Sequence, residues 1–406
     1  MAMLNNTPDS LFAFVKDNIY SNPSDLLMKY SGKDLGFNLS FAITQIKNRR
    51  KTIRKLPSFI FNDKFLFPDA ISSEQATDEK VARFHASLVG SGKTIIDLTA
   101  GLGIDAFSLS KAGNKVTATE IDPLKADALK YNSKLLGLKD FTVCNDDCIN
   151  VIDSLSSSPD IFFIDPARRD NDNQRTYGFA DCQPDISSFY EKLVSHGSTL
   201  FIKASPLLDI KNTLNIFKGI KEIYVVSLKG ECKEILIEIG NKDVSSPILT
   251  ALDLDSEGIR SRFSYNTDDE NFIPHYANEE DIKTNMFLYE PNASLIKLHA
   301  GGVITERFPK IKKIAPNTEL FISTEHYQDF PGRVIKIDEI LSSKKLKQLK
   351  KPAVSIVARN YPAKAEDLRK KLKASENPDK FLYAFRAGEN NKPVIITGER
   401  ITNYHR

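Results

Sequence analysis

The first ninety residues place apolar side chains at helical spacing. Within residues 40–54, apolar residues recur inside a run of basic residues, and the pattern stops at Pro57. Thr77 is a candidate N-cap for the next helix, which carries His85 on an otherwise apolar stripe. We expect His85 to be a core histidine. Residues 1–76 are therefore predicted to form an N-terminal helical region.

Short apolar runs alternate with helical stretches from residue 94 onward. The predicted strands are Thr94–Thr99, Lys115–Ile121, Phe141–Cys144, Ile161–Ile164, Thr199–Ala204, Ile223–Leu228 and Glu234–Ile239. Alternating βα units with apolar strands predict an α/β domain over residues 77–242, with a doubly wound, mostly parallel, seven-stranded Rossmann-like sheet. The turn around Gly230 is too short for a parallel crossover, so the last two strands are predicted to form an antiparallel hairpin at the sheet edge.

The pattern after residue 242 divides into three parts. Residues 243–283 are polar and acidic, which predicts a connector, and residues 284–330 are predicted to form a small α/β or ferredoxin-like segment. The later predicted elements are helices Lys344–Lys350 and Ala365–Ala374, strand Ala353–Ala358, and a hairpin of Phe381–Arg386 with Val394–Thr397. They predict a smaller C-terminal α+β domain over residues 331–406.

The composition is typical of a globular protein with several domains. Of the 406 residues, 41% are hydrophobic and 27% are charged. No apolar stretch reaches the length of a membrane span, and the N-terminus lacks the pattern of a signal peptide. The four cysteines are too few for a disulfide framework, and the six histidines do not fall at metal-ligand spacing. We therefore expect a cytoplasmic protein without a membrane span or a metal site.

Charge is distributed unevenly along the chain. Residues 331–406 contain 18 Lys and Arg residues against 8 Asp and Glu residues, whereas the rest of the chain contains 38 against 45. A basic module attached to a slightly acidic body is typical of a protein that holds a polyanion. Solvated lysine-rich helices would give the same count, so both interpretations stay open on charge alone.

The turn after the first predicted strand combines two glycines with a carboxylate. Gly101 and Gly103 stand where glycine lets the backbone approach a ligand and point helix N–H groups at it. The same spacing fits a dinucleotide site. Asp97 lies inside the strand, however, where it would repel a pyrophosphate and attract the amino group of the cationic S-adenosylmethionine (SAM). The electrostatics therefore favour SAM over a nicotinamide dinucleotide.

Further acids stand at the ends of the next three strands. Glu120 ends the second strand, where a carboxylate can accept hydrogen bonds from both ribose hydroxyls. Asp147 follows the third strand and can accept from the adenine amino group. Asp122 and Asp146 are the alternatives to these two acids in a shifted register. Asp165 follows the fourth strand, at the edge where open α/β sheets bind ligands.

Five stretches of the chain carry a family resemblance. They are Thr77-Asp-Glu-Lys-Val-Ala-Arg-Phe-His, Glu120-Ile-Asp-Pro, Asp165-Pro-Ala-Arg-Arg, Lys203-Ala-Ser-Pro-Leu-Leu-Asp and Glu290-Pro-Asn-Ala. Residues 77–240 resemble a class I SAM-dependent methyltransferase, with an order of elements similar to the RNA cap guanine-N2 (trimethylguanosine synthase) type. The whole chain resembles bacterial methyltransferases with a C-terminal THUMP-like domain. The resemblance implies SAM as the cofactor and structured RNA as a partner of the C-terminal domain.

Motifs and resemblance together define the candidate site. The predicted cofactor-binding residues are Asp97, Thr99, Gly101, Gly103, Asp105, Glu120, Ile121, Asp147 and Cys148. The predicted catalytic residues are Asp165, Pro166 and Arg168, and the predicted substrate-binding residues are Arg169, Tyr177 and Lys203.

Two departures from the family pattern bear on the substrate. Amino-group methyltransferases of bases usually carry Asp/Asn/Ser-Pro-Pro followed by an aromatic residue, and this chain has Arg168 at the aromatic position. A guanidinium can stack on a base or bind a phosphate, and Tyr177 and Phe179 are nearby candidates for the stacking surface. Ala204 stands where the RNA uridine-5-methyltransferases carry a cysteine nucleophile, which disfavours methylation of a carbon.

The sequence therefore predicts a SAM-dependent methyltransferase acting on a base nitrogen of RNA, with an exocyclic amine, guanine N2, favoured. Asp165 and the backbone around Pro166 would accept hydrogen bonds from this amine. The alternatives are a methyltransferase for a small molecule or a protein, a more distant NAD-dependent oxidoreductase, and an inactive scaffold.

Overall fold

The computed structural model describes residues 7–168, 178–242 and 244–401. The α-helices of these residues are α1 (Asp9–Asp17), α2 (Pro23–Tyr30), α3 (Leu39–Thr52), α4 (Pro57–Ile60), α5 (Ser72–Gln75), α6 (Glu79–Val89), α7 (Ile104–Lys111), α8 (Pro123–Leu135), α9 (Cys148–Asp153), α10 (Tyr190–Ser195), α11 (Ile210–Ile216), α12 (Ala293–Lys297), α13 (Gly301–Arg307), α14 (Ser343–Gln348) and α15 (Ala365–Leu372). No helix among these residues is long and apolar enough to cross a membrane.

The strands of the same residues are mostly short. They are β1 (Thr94–Asp97), β2 (Lys115–Thr119), β3 (Phe141–Cys144), β4 (Ile161–Ile164), β5 (Ala167–Arg168), β6 (Cys182–Gln183), β7 (Thr199–Ala204), β8 (Ile220–Leu228), β9 (Glu231–Ile239), β10 (Ile248–Leu254), β11 (Ile259–Asn266), β12 (Phe287–Pro291), β13 (Lys312–Ala315), β14 (Thr318–Ser323), β15 (Gly332–Ile340), β16 (Ser355–Arg359), β17 (Lys380–Ala387) and β18 (Lys392–Arg400). The backbone forms two compact units, one with the N-terminal helices and the parallel strands and the other with the C-terminal sheet.

Helices α1 to α5 occupy the region predicted to be helical. Helix α3 begins after Asn38, whose side chain accepts a hydrogen bond from the amide of Phe41. Arg49 of α3 is 7% exposed, and its guanidinium donates to the backbone carbonyls of Asp63 and Phe65 at 2.6 Å. This buried arginine satisfies carbonyls that the loop after α4 would otherwise leave without partners.

The first sheet is the predicted mixed α/β sheet with a parallel centre. Within the described residues it has nine strands and not seven, in the order β11-β10-β8-β9-β7-β4-β1-β2-β3. Strands β1, β2, β3, β4 and β7 are parallel to their neighbours in this group, and β9 is antiparallel to β7. Strands β8 and β9 are neighbours, as the predicted hairpin requires. They do not lie at the sheet edge, because β10 and β11 extend the sheet further.

The segment predicted as a connector, residues 243–283, contains β10 and β11. Strand β10 is buried from its second residue onward, so it is a core strand of apolar character. The acidic residues that suggested a connector are confined to two 3₁₀ turns, Thr267–Asn271 and Glu279–Asp281. The prediction was wrong because a high density of charge in short turns hid two ordinary strands.

The N-cap of helix α6 is Asp78 and not Thr77. The Asp78 carboxylate accepts a hydrogen bond from the amide of Lys80 at 3.0 Å. The hydroxyl of Thr77 instead donates to Asp105 and accepts from the ammonium of Lys203. Since that hydroxyl is engaged by buried charged groups, it does not cap the helix.

The second sheet contains seven strands of the described residues, in the order β13-β14-β12-β15-β18-β17-β16. The predicted C-terminal hairpin is confirmed as the antiparallel pair β17 and β18, and α14, β16 and α15 lie where the sequence predicted them. The core of this sheet includes Leu288, Ile314, Leu320, Ile322, Ile335, Ile337, Phe381, Tyr383, Phe385 and Ile396.

The first sheet brings the ends of β1, β4 and β7 side by side. Asp97 of β1 pairs with Phe163 of β4, and Ile164 of β4 pairs with Ile202 of β7. Because these strands are parallel, their carboxyl ends meet at one edge. The residues at that edge include Asp97, Asp165 and Lys203, which are the starting point for the site.

Candidate active site

The chain turns sharply through Gly101 and Gly103 between β1 and α7. Gly103 has φ of +90°, and a Cβ there would lie 2.4 Å from the side chain of Leu129. This glycine therefore permits both the left-handed backbone and the close packing of α7. Gly101 has φ of +55°, and no atom lies within 4 Å of the place of its missing Cβ. The open side of Gly101 belongs to the wall of a cavity.

This cavity, which we call the SAM cavity, has a volume of about 740 Å³. That is within the range of ~300–1,000 Å³ usual for small-molecule sites. The predicted site residues on its wall are Asp97, Thr99, Gly101, Gly103, Asp105, Glu120, Ile121, Asp147, Cys148, Asp165, Pro166 and Lys203. Arg169 and Tyr177 lie outside the described residues, and the backbone of Arg168 belongs to β5.

Asp97 is a buried carboxyl group in this wall, with 2% of its surface exposed. One of its oxygens accepts a hydrogen bond from the amide of Thr99 at 3.1 Å. Burial raises the pKa of Asp97 to about 8, and the nearby carboxylates of Asp105 and Asp165 raise it further than Lys203 lowers it. A ligand with a positive charge at this position would favour the ionised form, so Asp97 fits the amino group of SAM and disfavours a pyrophosphate.

Glu120 connects the glycine turn to the end of β2. Its two carboxylate oxygens accept hydrogen bonds from the amides of Gly101 and Asp122, each at 2.9 Å. A carboxylate has about four acceptor positions, so both oxygens can still accept from a ribose hydroxyl. Asp122, the alternative to Glu120, caps helix α8 through the amides of Leu124 and Lys125. This geometry favours Glu120 as the ribose ligand.

Asp147, the acid after the third strand, also caps a helix. Asp147 is the N-cap of α9 and accepts from the amide of Ile149 at 2.8 Å. Asp146, the alternative, accepts from the amide of Asp147 and from the side chain of Asn150. Both acids line the SAM cavity, beside the buried Cys148. Burial raises the pKa of the Cys148 thiol to about 11, so the thiol stays neutral.

Lys203 joins three side chains at the far edge of this wall. Its ammonium is 2.6 Å from Asp165 Oδ2, 3.1 Å from Asp105 Oδ2 and 2.7 Å from Thr77 Oγ1. Lys203 is 5% exposed, whereas the Asp165 side chain is 43% exposed. Burial would lower the pKa of Lys203, but the surrounding carboxylates of Asp105, Asp165 and Glu234 raise it well above the ordinary value. Lys203 is therefore a fixed cation.

His85 extends these contacts from Asp105 to a further acid, Glu234. Its Nδ1 lies 2.8 Å from Asp105 Oδ1, and its Nε2 contacts Glu234 Oε1. Burial opposes protonation of His85, but Glu234 and Asp105 raise its pKa to about 9. Burial also opposes ionisation of Asp105, and the neighbouring cations Lys203 and His85 nevertheless hold its pKa well below the usual range. We call these five residues the charge network: His85, Asp105, Asp165, Lys203 and Glu234.

The network changes the interpretation of several residues. His85 is fully buried as expected, but it is paired with two acids and does not belong to a purely apolar core. Lys203, predicted to hold substrate anions, has its charge matched inside the protein. Glu234 was not singled out by the sequence, although its position at the start of an apolar strand segment was a signal. Within the described residues, no group of His, Cys, Asp and Glu side chains is arranged to hold a metal ion.

Phe179 was a sequence candidate for a base-stacking surface. Its side chain borders the SAM cavity but is only 3% exposed. Its ring packs edge-on against Phe217, with 4.8 Å between the ring centres. Because so little of its surface is exposed, Phe179 does not offer an open stacking surface.

Three segments of the chain match known families. Residues 70–174 match a family described as "Putative SAM-dependent methyltransferase", residues 287–331 match a ferredoxin-like domain, and residues 332–400 match a THUMP domain-like family. The chain is also 27% identical over 190 residues to proteins from two strains of Mycobacterium tuberculosis, each named an uncharacterized S-adenosylmethionine-dependent methyltransferase. This match covers 46% of the chain and 50% of the relatives, so the chain spans about half the length of these curated relatives.

A solved structure is similar to the chain over nearly its whole length. It is the crystal structure of a "putative methyltransferase" from Porphyromonas gingivalis W83, with 26% identity and a TM-score of 0.84, and the alignment covers 97% of this chain and 98% of that chain. The glycine turn, the buried Asp97 and these similarities agree on the cofactor. The chain thus carries a SAM-dependent methyltransferase domain, with SAM as its cofactor, followed by a ferredoxin-like domain and a THUMP-like domain.

Proposed function

We propose that this protein transfers a methyl group from SAM to a nitrogen of an RNA base, with the exocyclic amine of guanine, N2, as the favoured acceptor. The observation that carries the proposal is the Asp165 carboxylate, which the buried Lys203 ammonium holds on the wall of the SAM cavity. An oriented carboxylate beside the cofactor suits a substrate that arrives with N–H donors.

The residues of the cavity wall fit the parts of SAM. Asp97 would bind the amino group, Glu120 the ribose hydroxyls and Asp147 the adenine amino group. When bound, SAM supplies an electrophilic methyl group on a sulfonium, and the electrons of the broken S–C bond stay on the sulfur of the product. Gly101 leaves the space over the turn open for the ligand, and Gly103 allows α7 to pack closely beside it.

Asp165 would act on the acceptor nitrogen and on its proton. The carboxylate accepts a hydrogen bond from the amine, which keeps the nitrogen lone pair free for the methyl group. Formation of the N–C bond leaves the nitrogen cationic, and one proton must leave. Asp165 can take this proton and pass it to water, since its side chain is 43% exposed. Lys203 stays protonated and stabilises the ionised carboxylate before each transfer.

RNA is favoured as the substrate by the C-terminal part of the chain. Residues 332–400 match a THUMP domain-like family, and residues 331–406 carry 18 basic against 8 acidic residues. A module with this excess of basic residues favours a polyanion. A small molecule or a protein with an amine is the second candidate, because a cavity of about 740 Å³ also accommodates a small acceptor.

The proposal is tested by incubating the protein with methyl-labelled SAM and a lysate of cells that lack it, separated into RNA, protein and small molecules. We expect label in RNA, loss of labelling with Asp165→Asn, and full labelling with Asp140→Asn. Asp140 is an exposed aspartate for which the same substitution is a matched control. Label in small molecules or protein, with RNA unlabelled, would overturn the RNA assignment.

A further inference from the structure

A second charged cluster lies in the C-terminal unit, apart from the residues used above. Its centre is Glu290, which follows the buried strand residues Leu288 and Tyr289 and is itself 6% exposed. Glu290 Oε1 accepts from Arg359 Nη2 at 2.7 Å and from Arg359 Nε at 3.2 Å. Glu290 Oε2 accepts from Arg333 Nη1 at 3.0 Å and from the hydroxyl of Tyr383 at 2.7 Å.

Strand periodicity explains how these four side chains meet. Side chains two residues apart in a strand share one face of the sheet. The residues two positions away from Glu290, Arg333 and Tyr383 belong to the core. Glu290 shares the face of Leu288, Arg333 that of Ile335, and Tyr383 that of Phe381, all members of the apolar core of the second sheet. The cluster therefore stands at the margin of this core and is built from strands β12, β15, β16 and β17.

The charges of the cluster do not cancel. Two guanidinium groups share one carboxylate, and the buried Tyr383 phenol stays neutral because burial and Glu290 raise its pKa. One positive charge is therefore in excess. The side chains of Arg333 and Arg359 are 36% and 46% exposed. Among the described residues, Nη2 and Nε of Arg333 and Nη1 of Arg359 have no hydrogen-bond partner in the protein.

Both guanidinium groups are also fixed in place. Arg359 is held through two of its nitrogens by one carboxylate oxygen, and Arg333 lies over the ring of Phe381 with its Cζ 4.6 Å from the ring centre. Free arginine side chains lose about 2 kcal/mol of rotamer entropy when a ligand immobilises them. Anchored arginines have already lost this rotamer entropy on folding, so an anion binds to them more favourably.

Several other basic side chains of the same unit are each paired with an acid of their own. Arg369 pairs with Glu376, Lys370 with Glu366 and Lys380 with Glu399, in each case one cation with one exposed acid. Such exposed pairs contribute little and are readily screened by salt. The buried Glu290 with its two arginines, in contrast, leaves one anchored cation in excess.

We propose that Arg333 and Arg359 form a binding site for a phosphodiester group of RNA, positioned by Glu290. This inference rests on the proposed RNA substrate and names the residues that contact its backbone. A planar guanidinium pair presents forked N–H donors that match the oxygens of a phosphate group. Glu290 is a positioning residue, because its oxygens are directed at the two arginines and Tyr383 and not at the ligand.

The test measures binding of the full chain to a fluorescein-labelled structured RNA, such as a fragment of ribosomal RNA, over a range of salt concentrations. We expect Arg333→Gln and Arg359→Gln each to weaken binding about 10-fold or more, and to lower the salt slope of log affinity by about one. Arg369→Gln is the matched control, since its side chain is 45% exposed and the substitution removes the same charge. Equal effects of Arg369→Gln and Arg359→Gln would overturn the site in favour of diffuse attraction.

Glu290→Gln distinguishes a positioned phosphate site from diffuse electrostatic attraction, because the two predict opposite changes in RNA affinity. Diffuse electrostatics requires tighter RNA binding when a negative charge is removed, whereas a positioning role requires weaker binding. Weaker binding with an unchanged melting temperature supports the site, and tighter binding overturns it. If Glu290→Gln does not fold, the comparison of Arg359→Gln with Arg369→Gln decides, because Arg359 is half-exposed.

The outcome is distinguishable from that of the methylation experiment. RNA that is labelled equally well, at limiting RNA, by wild type and by both arginine variants overturns the phosphate site and leaves the proposed function intact. Conversely, RNA binding that depends on Arg333 and Arg359 in a protein that labels only small molecules supports the site and overturns the RNA methylation. For RNA that is the substrate, we expect the arginine variants to raise KM with little change in kcat.

Discussion

Replacement of Asp97 by Asn should remove a loss of stability that occurs as the pH rises to neutral, and should leave the protein unable to hold SAM tightly. Burial raises the pKa of this carboxyl to about 8 in the folded protein, whereas an unfolded aspartate ionises near 3.9. Between these values the unfolded chain is ionised and the folded chain holds a proton. Stability therefore falls as the pH rises from about 4 to about 8, because folding must take up that proton.

The size of the effect follows from the difference between the two ionisation constants. Each pH unit in this window costs about 1.4 kcal/mol, so from pH 5 to pH 7.5 wild type should lose ~3 kcal/mol that Asp97→Asn does not lose. Any fixed cost of the new amide is equal at both pH values and cancels in the comparison. In a domain of about 150–250 residues, 1 kcal/mol shifts the melting temperature by about 2–4 °C.

The assay is thermal melting of both proteins at pH 5 and pH 7.5, followed by calorimetric titration with SAM. The melting temperature of Asp97→Asn should rise relative to wild type by roughly 6–12 °C between the two pH values. Its affinity for SAM should fall about 10-fold or more, since one charge-assisted hydrogen bond is lost. A difference in melting temperature between the two proteins that is the same at both pH values would refute the assignment of Asp97 as a buried, protonated carboxyl. Undiminished SAM affinity would refute its assignment as the group that binds the amino group of SAM.

Other perturbations test the remaining parts of the site. Lys203→Met should lower kcat about 100-fold, because the Asp165 carboxylate loses the ammonium that holds it on the cavity wall; an unchanged kcat would exclude the positioning role. His85→Gln should cost ~3–5 kcal/mol of unfolding free energy by leaving buried acids without their partner. The pKa of His85 is raised to about 9, so its stabilising charge is complete below pH ~6.5 and is lost as the pH rises through 9; melting curves from pH 7 to 10 should show this loss in wild type and not in His85→Gln. Gly101→Ala should weaken SAM binding at a cost of about 1 kcal/mol in stability, whereas Gly103→Ala should destabilise by several kcal/mol because its Cβ would overlap the protein core; equal stability losses in chemical denaturation would contradict this distinction.

The central strands were predictable because their apolar runs are bounded by residues that stop a strand. Strands β3, β4 and β7 have the predicted limits, since each is a short run with polar neighbours on both sides. Strands β10 and β11 were missed because the charge-rich turns that follow them dominate the composition of the segment. Composition averages over a window, and it cannot separate a core strand from an adjacent acidic turn.

For the candidate site, only the positions of the glycines and of the acids at the strand ends were predictable from the sequence. The glycines and the acids at strand ends can be placed on one edge from topology alone, because parallel strands align their carboxyl ends. The pairing of Lys203 with Asp165 depends on the register of β4 against β7, which the sequence does not state. The link from His85 to Glu234 joins residues 149 positions apart, so no local pattern indicates it. Such contacts follow from the fold, and the sequence shows only that each residue is polar in an apolar setting.

The most direct measurement is the identity of the methylated atom. RNA treated with the protein and labelled SAM is digested to nucleosides, and the products are identified by mass spectrometry beside those of Asp165→Asn. The account predicts a nucleoside with the methyl group on an exocyclic nitrogen, N2-methylguanosine in the favoured case, that is absent with Asp165→Asn. A methyl group on a ring carbon or a ribose oxygen, or an N-methylated nucleoside formed equally well without the Asp165 carboxylate, would contradict it.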